Sequence, residues 1–212
     1  MNVLEKVINM KKFGTAIILA GGKSSRMGFD KQLLKIDERK LMDSLINKVK
    51  KEFSEIIIVT NKPELYIGLS HKITSDILVG RGPLGGIHAG LAISSSKYSY
   101  VVACDMPNIN MDYIRYMKDK IGHSNSYGCI TEFGEWIEPF NSFYSTDIIK
   151  EIEGFLETNK RSISALLRNL DITYINELEA REFSPNWEMF LNLNTKEDLN
   201  QYLENISNGW SR

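Results

Sequence analysis

The sequence predicts an α/β protein: a mostly parallel central sheet covered by helices on both faces. Three observations carry this. Short apolar runs of strand length alternate with helix-spaced patterns from residue 15 to residue 120. One of these runs, YSYVVACD (98–105), is apolar on both faces, as a strand buried between two helical layers must be. The stretch LAGGKSSRMGFDK (19–31) ends the first run with three glycines and several cations, at the strand-to-helix turn where open α/β sheets bind ligands.

The elements follow in order. MNVLEKVINMKK places Val3, Leu4, Val7 and Ile8 at helical spacing, and its polar interruptions differ from a signal peptide, so 1–13 is expected to be a short helix or an arm. TAIILA (15–20), EIIIVT (55–60) and KITSD (72–76) read as strands. LMDSLINKVKKEF (41–53) and a segment begun by Pro63 read as the helices between them, giving βαβαβ. GGIHAGLAISSS (85–96) reads as a helix, 98–105 as the buried strand, and a further helix is expected near 110–120. YGCITEF (127–133) and IEPFNSFYS (137–145) read as strands around a turn at Gly134, followed by helices near 147–157 and 162–170 and a strand at DITYIN (171–176). Thr195 can cap the last helix, with Asp198 at its third position in place of the usual Glu or Gln. There is no repeat or low-complexity linker, and 1–212 reads as a single domain.

Composition narrows the function. The chain of 212 residues is 42% hydrophobic, enough to bury a sizeable core. Lys and Arg total 26 against 27 Asp and Glu, a net charge of −1 that offers no general attraction for nucleic acid or anionic lipid. Cys104 and Cys129 are too far apart for a redox pair and too few for a zinc site, which suits a reducing cytoplasm. No stretch approaches the roughly 20 apolar residues needed to cross a bilayer. The expectation is a soluble cytoplasmic protein with no nucleic-acid or membrane partner.

Phosphate binding must then be local, and the first loop can supply it. Gly21, Gly22 and Gly28 let backbone approach oxygens closely, while Arg26 offers a planar fork and Lys31 a mobile point charge. A P-loop is excluded because it requires glycine six residues before Lys23, where Ile17 stands. A dinucleotide-binding loop is excluded too: GxGxxG is absent, and the second strand ends in Thr60-Asn61 without the acid that holds a ribose.

With these residues in view, LAGGKSSRMGFDK resembles the LAGGxSxRMGxDK signature of nucleotidyltransferases with a Rossmann-like sheet, in the form found in molybdenum cofactor guanylyltransferases. SDILVGRGPLGGIHAGL (75–91), ACDMP (103–107) and FLNLNTKEDL (190–199) resemble further motifs of that family, in family order and across most of the chain. Lys196 departs from the family by standing where proline is usual, and the family's asparagine near the second strand falls on Val59, two positions before Asn61.

The resemblance implies a Rossmann-like three-layer α/β/α fold and a Mg²⁺-dependent enzyme. It would transfer GMP from GTP to molybdopterin or Mo-molybdopterin, with proteins of molybdenum insertion and molybdoenzyme maturation as further partners. Asp105 closes the buried strand, where one carboxylate suffices for magnesium shared with substrate phosphates. The implied nucleotide contacts are Leu19, Ala20, Gly21, Gly22, Lys31, Asn61, Asp76 and Asp105. Asp76 can accept from the N1–H and 2-amino edge of guanine. Arg26, Lys31 and Asp105 are the implied catalytic residues, and Arg161, Asn192 and Asn194 lie on the acceptor side. Pro83-Leu84-Gly85-Gly86 turns into a helix whose free N–H groups face the nucleotide, and His88 within it reads as packing. A cytidylyltransferase of the same frame and a nucleotide-binding subunit without turnover are the alternatives.

Overall fold

The computed structural model describes residues 3–20, 31–68, 70–78 and 80–207. Among the described residues seven strands form one sheet in the order β3-β2-β1-β4-β6-β5-β7. They are β1 (Thr15–Leu19), β2 (Glu55–Val59), β3 (Lys72–Thr74), β4 (Tyr98–Ala103), β5 (Gly128–Phe133), β6 (Trp136–Ser145) and β7 (Ile172–Ile175). The pairs β1·β2, β1·β4, β2·β3 and β5·β7 are parallel, while β6 runs antiparallel to both β4 and β5. One reversed strand therefore sits in an otherwise parallel sheet, and β5 regains the common direction.

Helices cover both faces. Tyr98, Tyr100 and Val102 of β4 point into one core with α1 (Val3–Phe13), α2 (Lys31–Val49), α4 (Met111–Gly122) and α7 (Glu177–Arg181). Val101 of the same strand points into the other, with α3 (Pro83–Ala92), α5 (Ile148–Glu157) and α6 (Ile163–Leu167). β4 is thus buried on both faces, as its sequence predicts, and the three-layer α/β/α architecture stands. Helix α3 lies close on β1 at Gly90, where an added Cβ would meet Ile17 Cγ2 at 2.5 Å. A side chain here would push helix from sheet.

Several elements differ from the sequence expectation. The Pro63 segment is a single 3-10 turn (Pro63–Tyr66), in which Leu65 N–H donates to the Lys62 carbonyl at 3.1 Å, the three-residue closure of that helix type. β3 stops at Thr74, so Asp76 lies beyond its end. α2 begins at Lys31 rather than Leu41: KQLLKIDERK contains good helix formers and neither glycine nor proline. The N-terminal segment takes the helical form. α7 is absent from the sequence reading, although Asn176 and Glu179 form a reciprocal capping box at its start. α8 (Lys196–Ser207) is capped as expected: Asp198 N–H donates to Thr195 Oγ1 at 3.1 Å, and Thr195 N–H donates to Asp198 Oδ2 at 2.9 Å. Among the described residues no helix is long and apolar enough to cross a membrane.

Candidate functional site

The carboxyl ends of β1, β2 and β4 are held level by backbone hydrogen bonds that continue past the strands. Ala20 N–H donates to the Val59 carbonyl at 2.8 Å, and Cys104 N–H donates to the Leu19 carbonyl at 3.0 Å. Thr60 Oγ1 donates to the Ala20 carbonyl at 3.4 Å. Leu19, Ala20, Asn61 and Asp105 therefore sit along one edge of the sheet.

On the β2/β3 side of that edge, Asn61 and Asp76 meet. Asn61 Nδ2 donates to Asp76 Oδ2 at 3.3 Å, and Asp76 N–H donates to Asn61 Oδ1 at 3.4 Å. The start of α3 closes on the same carboxylate. A Cβ on Gly86 would lie 3.7 Å from Asp76 Oδ1 and 3.3 Å from Leu19 Cδ2, and one on Gly85 would lie 2.9 Å from the Leu78 carbonyl. Gly82, at φ 62, precedes Pro83 at the first turn of α3, and no side chain caps that end. Gly85 N–H donates to the Gly82 carbonyl at 3.1 Å, and a helix start of this kind suits the oxygens of a ligand. Leu19, Asn61, Asp76 and the two glycines thus form a small cleft with one carboxylate and a helix N-terminus. His88, deeper in α3, is buried, with Nε2 2.9 Å from Glu153 Oε1 of α5.

Asp105 stands at the centre of the edge. It is half-buried, and burial raises its carboxyl pKa above the usual range, with its own backbone N–H opposing. A half-buried carboxylate at this edge fits a cation shared with substrate phosphates, and magnesium usually takes only one or two carboxylates in such sites. Among the described residues no cluster of three or more His, Cys, Asp and Glu offers an all-protein metal cage. The chain after Asp105 is clamped from outside: Lys48 Nζ of α2 donates to the Pro107 carbonyl at 2.8 Å and to Tyr202 Oη of α8 at 3.0 Å. Neither Lys48 nor Tyr202 carries a motif signal, since each reaches Pro107 only through the fold.

The acceptor-side residues arrive by two routes. Leu193 N–H donates to the Asp105 carbonyl at 2.8 Å, bringing Asn192 and Asn194 beside it, and Asn194 Nδ2 donates to the Asn192 carbonyl at 3.2 Å. Arg161 is exposed, one residue before Ser162, which caps α6 by accepting from Ala165 N–H at 3.2 Å. It follows α5, which starts at the far edge of the sheet, where Asp147 pairs with Lys97, and runs back beside α3. Asn141, which stands in the EPFNSFY stretch, is a structural residue. It is buried at φ 57, accepts from Tyr100 Oη and donates to the Met189 carbonyl at 3.2 Å. Lys31 is the first residue of α2. Gly21, Gly22, Arg26 and Gly28 lie outside the described residues.

Comparison with known proteins places the chain in a family and matches its fold. Residues 16–173 match the family of the MobA-like NTP transferase domain. The chain is 52% identical over 203 residues to a probable molybdenum cofactor guanylyltransferase of Peptoclostridium acidaminophilum, covering 93% of this chain and 92% of that one. It is 50% identical over 191 residues to the molybdenum cofactor guanylyltransferase of Syntrophotalea carbinolica, covering 90% and 91%. In fold it is similar to the molybdopterin-guanine dinucleotide biosynthesis protein A of Archaeoglobus fulgidus, with a TM-score of 0.75 at 23% identity over 92% of this chain and 99% of that one. A 2-C-methyl-D-erythritol 4-phosphate cytidylyltransferase of Francisella tularensis shares the fold at a TM-score of 0.61 and 12% identity, over 91% and 99%.

Proposed function

From a chain that belongs to the family of MobA-like NTP transferase domains, we infer an enzyme that transfers GMP from GTP to the terminal phosphate of molybdopterin or Mo-molybdopterin, releasing pyrophosphate. The observation that carries this reading is the division of one sheet edge by Asp105. The cleft of Leu19, Asn61, Asp76 and the α3 glycines lies on one side, and the segment 192–194 is tied to the Asp105 backbone itself. Such an edge can hold a nucleotide and a phosphate acceptor against one carboxylate.

The chemistry asks little of a general base. A phosphate monoester has a second pKa near ~6 and is already anionic at neutral pH, so the acceptor oxygen attacks as it stands. The protein supplies position and charge. Asp76 accepts from the N1–H and 2-amino edge of guanine, and Asn61 holds its carboxylate in place. Leu19, Ala20, Gly21 and Gly22 provide backbone contacts. Arg26 and Lys31 neutralise the charge that develops on the departing pyrophosphate, while Asn192, Asn194 and Arg161 hold the acceptor. Asp105 is the residue that would hold Mg²⁺, which when bound neutralises charge at the α-phosphate. We place the enzyme in the cytoplasm as a single domain, handing its product to proteins of molybdenum insertion and molybdoenzyme maturation.

Competition among nucleotides tests the reading. With molybdopterin, Mg²⁺ and equal GTP, CTP and ATP, product mass is expected to show the guanine dinucleotide in large excess, since a polar group left unpaired in the cleft costs roughly 1–3 kcal/mol. A cytosine dinucleotide would assign the chain to the cytidylyl branch, and binding without product would make it a nucleotide-binding subunit.

A further inference from the structure

On the other side of β4 from the Asn61–Asp76 cleft, β6 enters the same sheet edge with a carboxylate set among aromatic rings. Residues directly opposite in an antiparallel pair share a face. Phe133 faces Trp136 and Thr131 faces Glu138, so all four lie on one side of the sheet. That side is fixed by Thr131, whose Oγ1 bonds Tyr113 Oη of α4. Trp187 completes the group. Its ring centroid lies 5.2 Å from that of Phe133 and 4.7 Å from that of Phe190, and the Arg181 guanidinium lies 5.0 Å from the Trp187 ring. Two of the rings are open to solvent, Trp136 at 74% exposure and Phe133 at 38%.

Glu138 is half-buried, and burial raises its pKa, while a hydrogen bond with the Trp187 side chain pulls the other way. An indole offers one donor, and an ionised carboxylate has about four accepting positions, so this bond by itself leaves capacity for further donors. Directly after Glu138 the β5·β6 register shifts, with Cys129 paired to Phe143 and Thr131 to Glu138. Irregularities of this kind turn a strand and re-aim its side chains beside functional sites. The segment from Trp187 to Leu193 then joins this group to the centre: Asn141 holds the Met189 carbonyl, and Leu193 holds that of Asp105.

We propose that Glu138, flanked by Trp136, Phe133 and Trp187, reads the heteroaromatic ring of the phosphate acceptor, accepting hydrogen bonds from the adjacent N–H and amino donors of a 2-amino-4-oxopyrimidine edge. This rests on the reading of the acceptor as a pterin phosphate. Aromatic side chains contribute flat apolar surface for a planar ring, and the carboxylate selects for donors on its edge. Guanine carries the same donor pair, but the Asn61–Asp76 cleft on the far side of Asp105 is assigned to it.

Direct titration of the full-length protein with a fluorescent pterin, 6-hydroxymethylpterin, tests the proposal without requiring turnover. The comparison ligand is 6-hydroxymethyllumazine, in which a carbonyl replaces the amino donor, and GMP is the competitor. Wild type is expected to prefer pterin over lumazine by about tenfold, as for hydrogen bonds to a charged group. GMP should not displace the pterin. Glu138→Gln should reduce that preference towards unity, and Trp136→Ala, at an exposed position, should weaken both ligands together. In steady-state assays Glu138→Gln should raise KM for molybdopterin about tenfold and leave KM for GTP unchanged, with a melting temperature at pH 7 no lower than that of wild type. No pterin binding, an unchanged pterin preference in Glu138→Gln, or displacement of the pterin by GMP would overturn the proposal. If wild type transferred no GMP to molybdopterin, the reading of the function would fall instead, whatever the pterin titration gave.

Discussion

The backbone N–H of Leu193 donates to the carbonyl of Asp105 at 2.8 Å. This bond makes the end of the buried strand β4 and the segment before α8 one unit. A shift in either is felt at the carboxylate assigned to metal and nucleotide, and at the asparagines assigned to the acceptor.

Asp105→Asn should lower kcat at least about 100-fold, the usual loss when one preorganised electrostatic group is removed, with the circular dichroism spectrum unchanged. Its effect on stability has the opposite sign. Burial raises the Asp105 pKa, so stability falls as pH rises through that pKa, and the amide avoids this loss. Without Mg²⁺ and nucleotide, Asp105→Asn should therefore melt at or above the wild-type temperature at pH 7. Thermal melts and steady-state rates on the same samples check both halves.

Lys31→Ala should reduce turnover far more than Lys23→Ala, because Lys31 opens α2 at the far end of the glycine-rich stretch and is the lysine assigned to the leaving group. Equal losses in paired assays with GTP and molybdopterin would contradict that assignment.

Asn61→Ala should act on nucleotide choice rather than on the chemical step. Asn61 and Asp76 bond each other twice, so the alanine frees the carboxylate to rotate. KM for GTP is expected to rise several-fold with a smaller change in kcat, and the margin of GTP over CTP should narrow. Competition kinetics in the variant measure this.

Glu55 tests the scaffold away from the site. Burial works to raise its pKa, but the Lys72 ion pair at 2.6 Å and hydrogen bonds from Ser95 and Thr15 outweigh it and hold the group at about 2. A depressed carboxylate stabilises the fold above its unfolded pKa, and that contribution is lost as pH falls from about 4.5 towards 2. Glu55→Gln should cost on the order of 1 kcal/mol at pH 7, after discounting for solvent screening. The gap from wild type should close in that acid window, as followed by denaturant melts.

What the sequence discloses depends on how local the cause is. β1, β2 and β4 are legible because continuous apolar runs leave few alternatives, and the Thr195–Asp198 cap is legible because both partners lie within one turn. The Asn176–Glu179 cap is equally local, and its Asn-x-x-Glu spacing is a signal that the expected elements left unused. Asp76 and Asp105 are identifiable as carboxylates that close strands, although β3 and β4 stop two residues short of them, and what each meets is not legible. Asn61 reaches Asp76 across 15 residues and Lys48 reaches Pro107 across 59, contacts that arise only once the sheet has formed. Asn141 shows the same limit from the other direction: its left-handed backbone and its bonds to Tyr100 and Met189 are set by packing, and nothing in EPFNSFY announces them.

The most direct test follows the phosphates of GTP. Wild-type protein is incubated with molybdopterin, Mg²⁺ and GTP labelled at the α-phosphate in one sample and at the γ-phosphate in another. The account predicts that the α label enters a product with the mass of the guanine dinucleotide while the γ label leaves as pyrophosphate, one for each dinucleotide formed. Release of the γ label as inorganic phosphate, or no α label in the product, would contradict it.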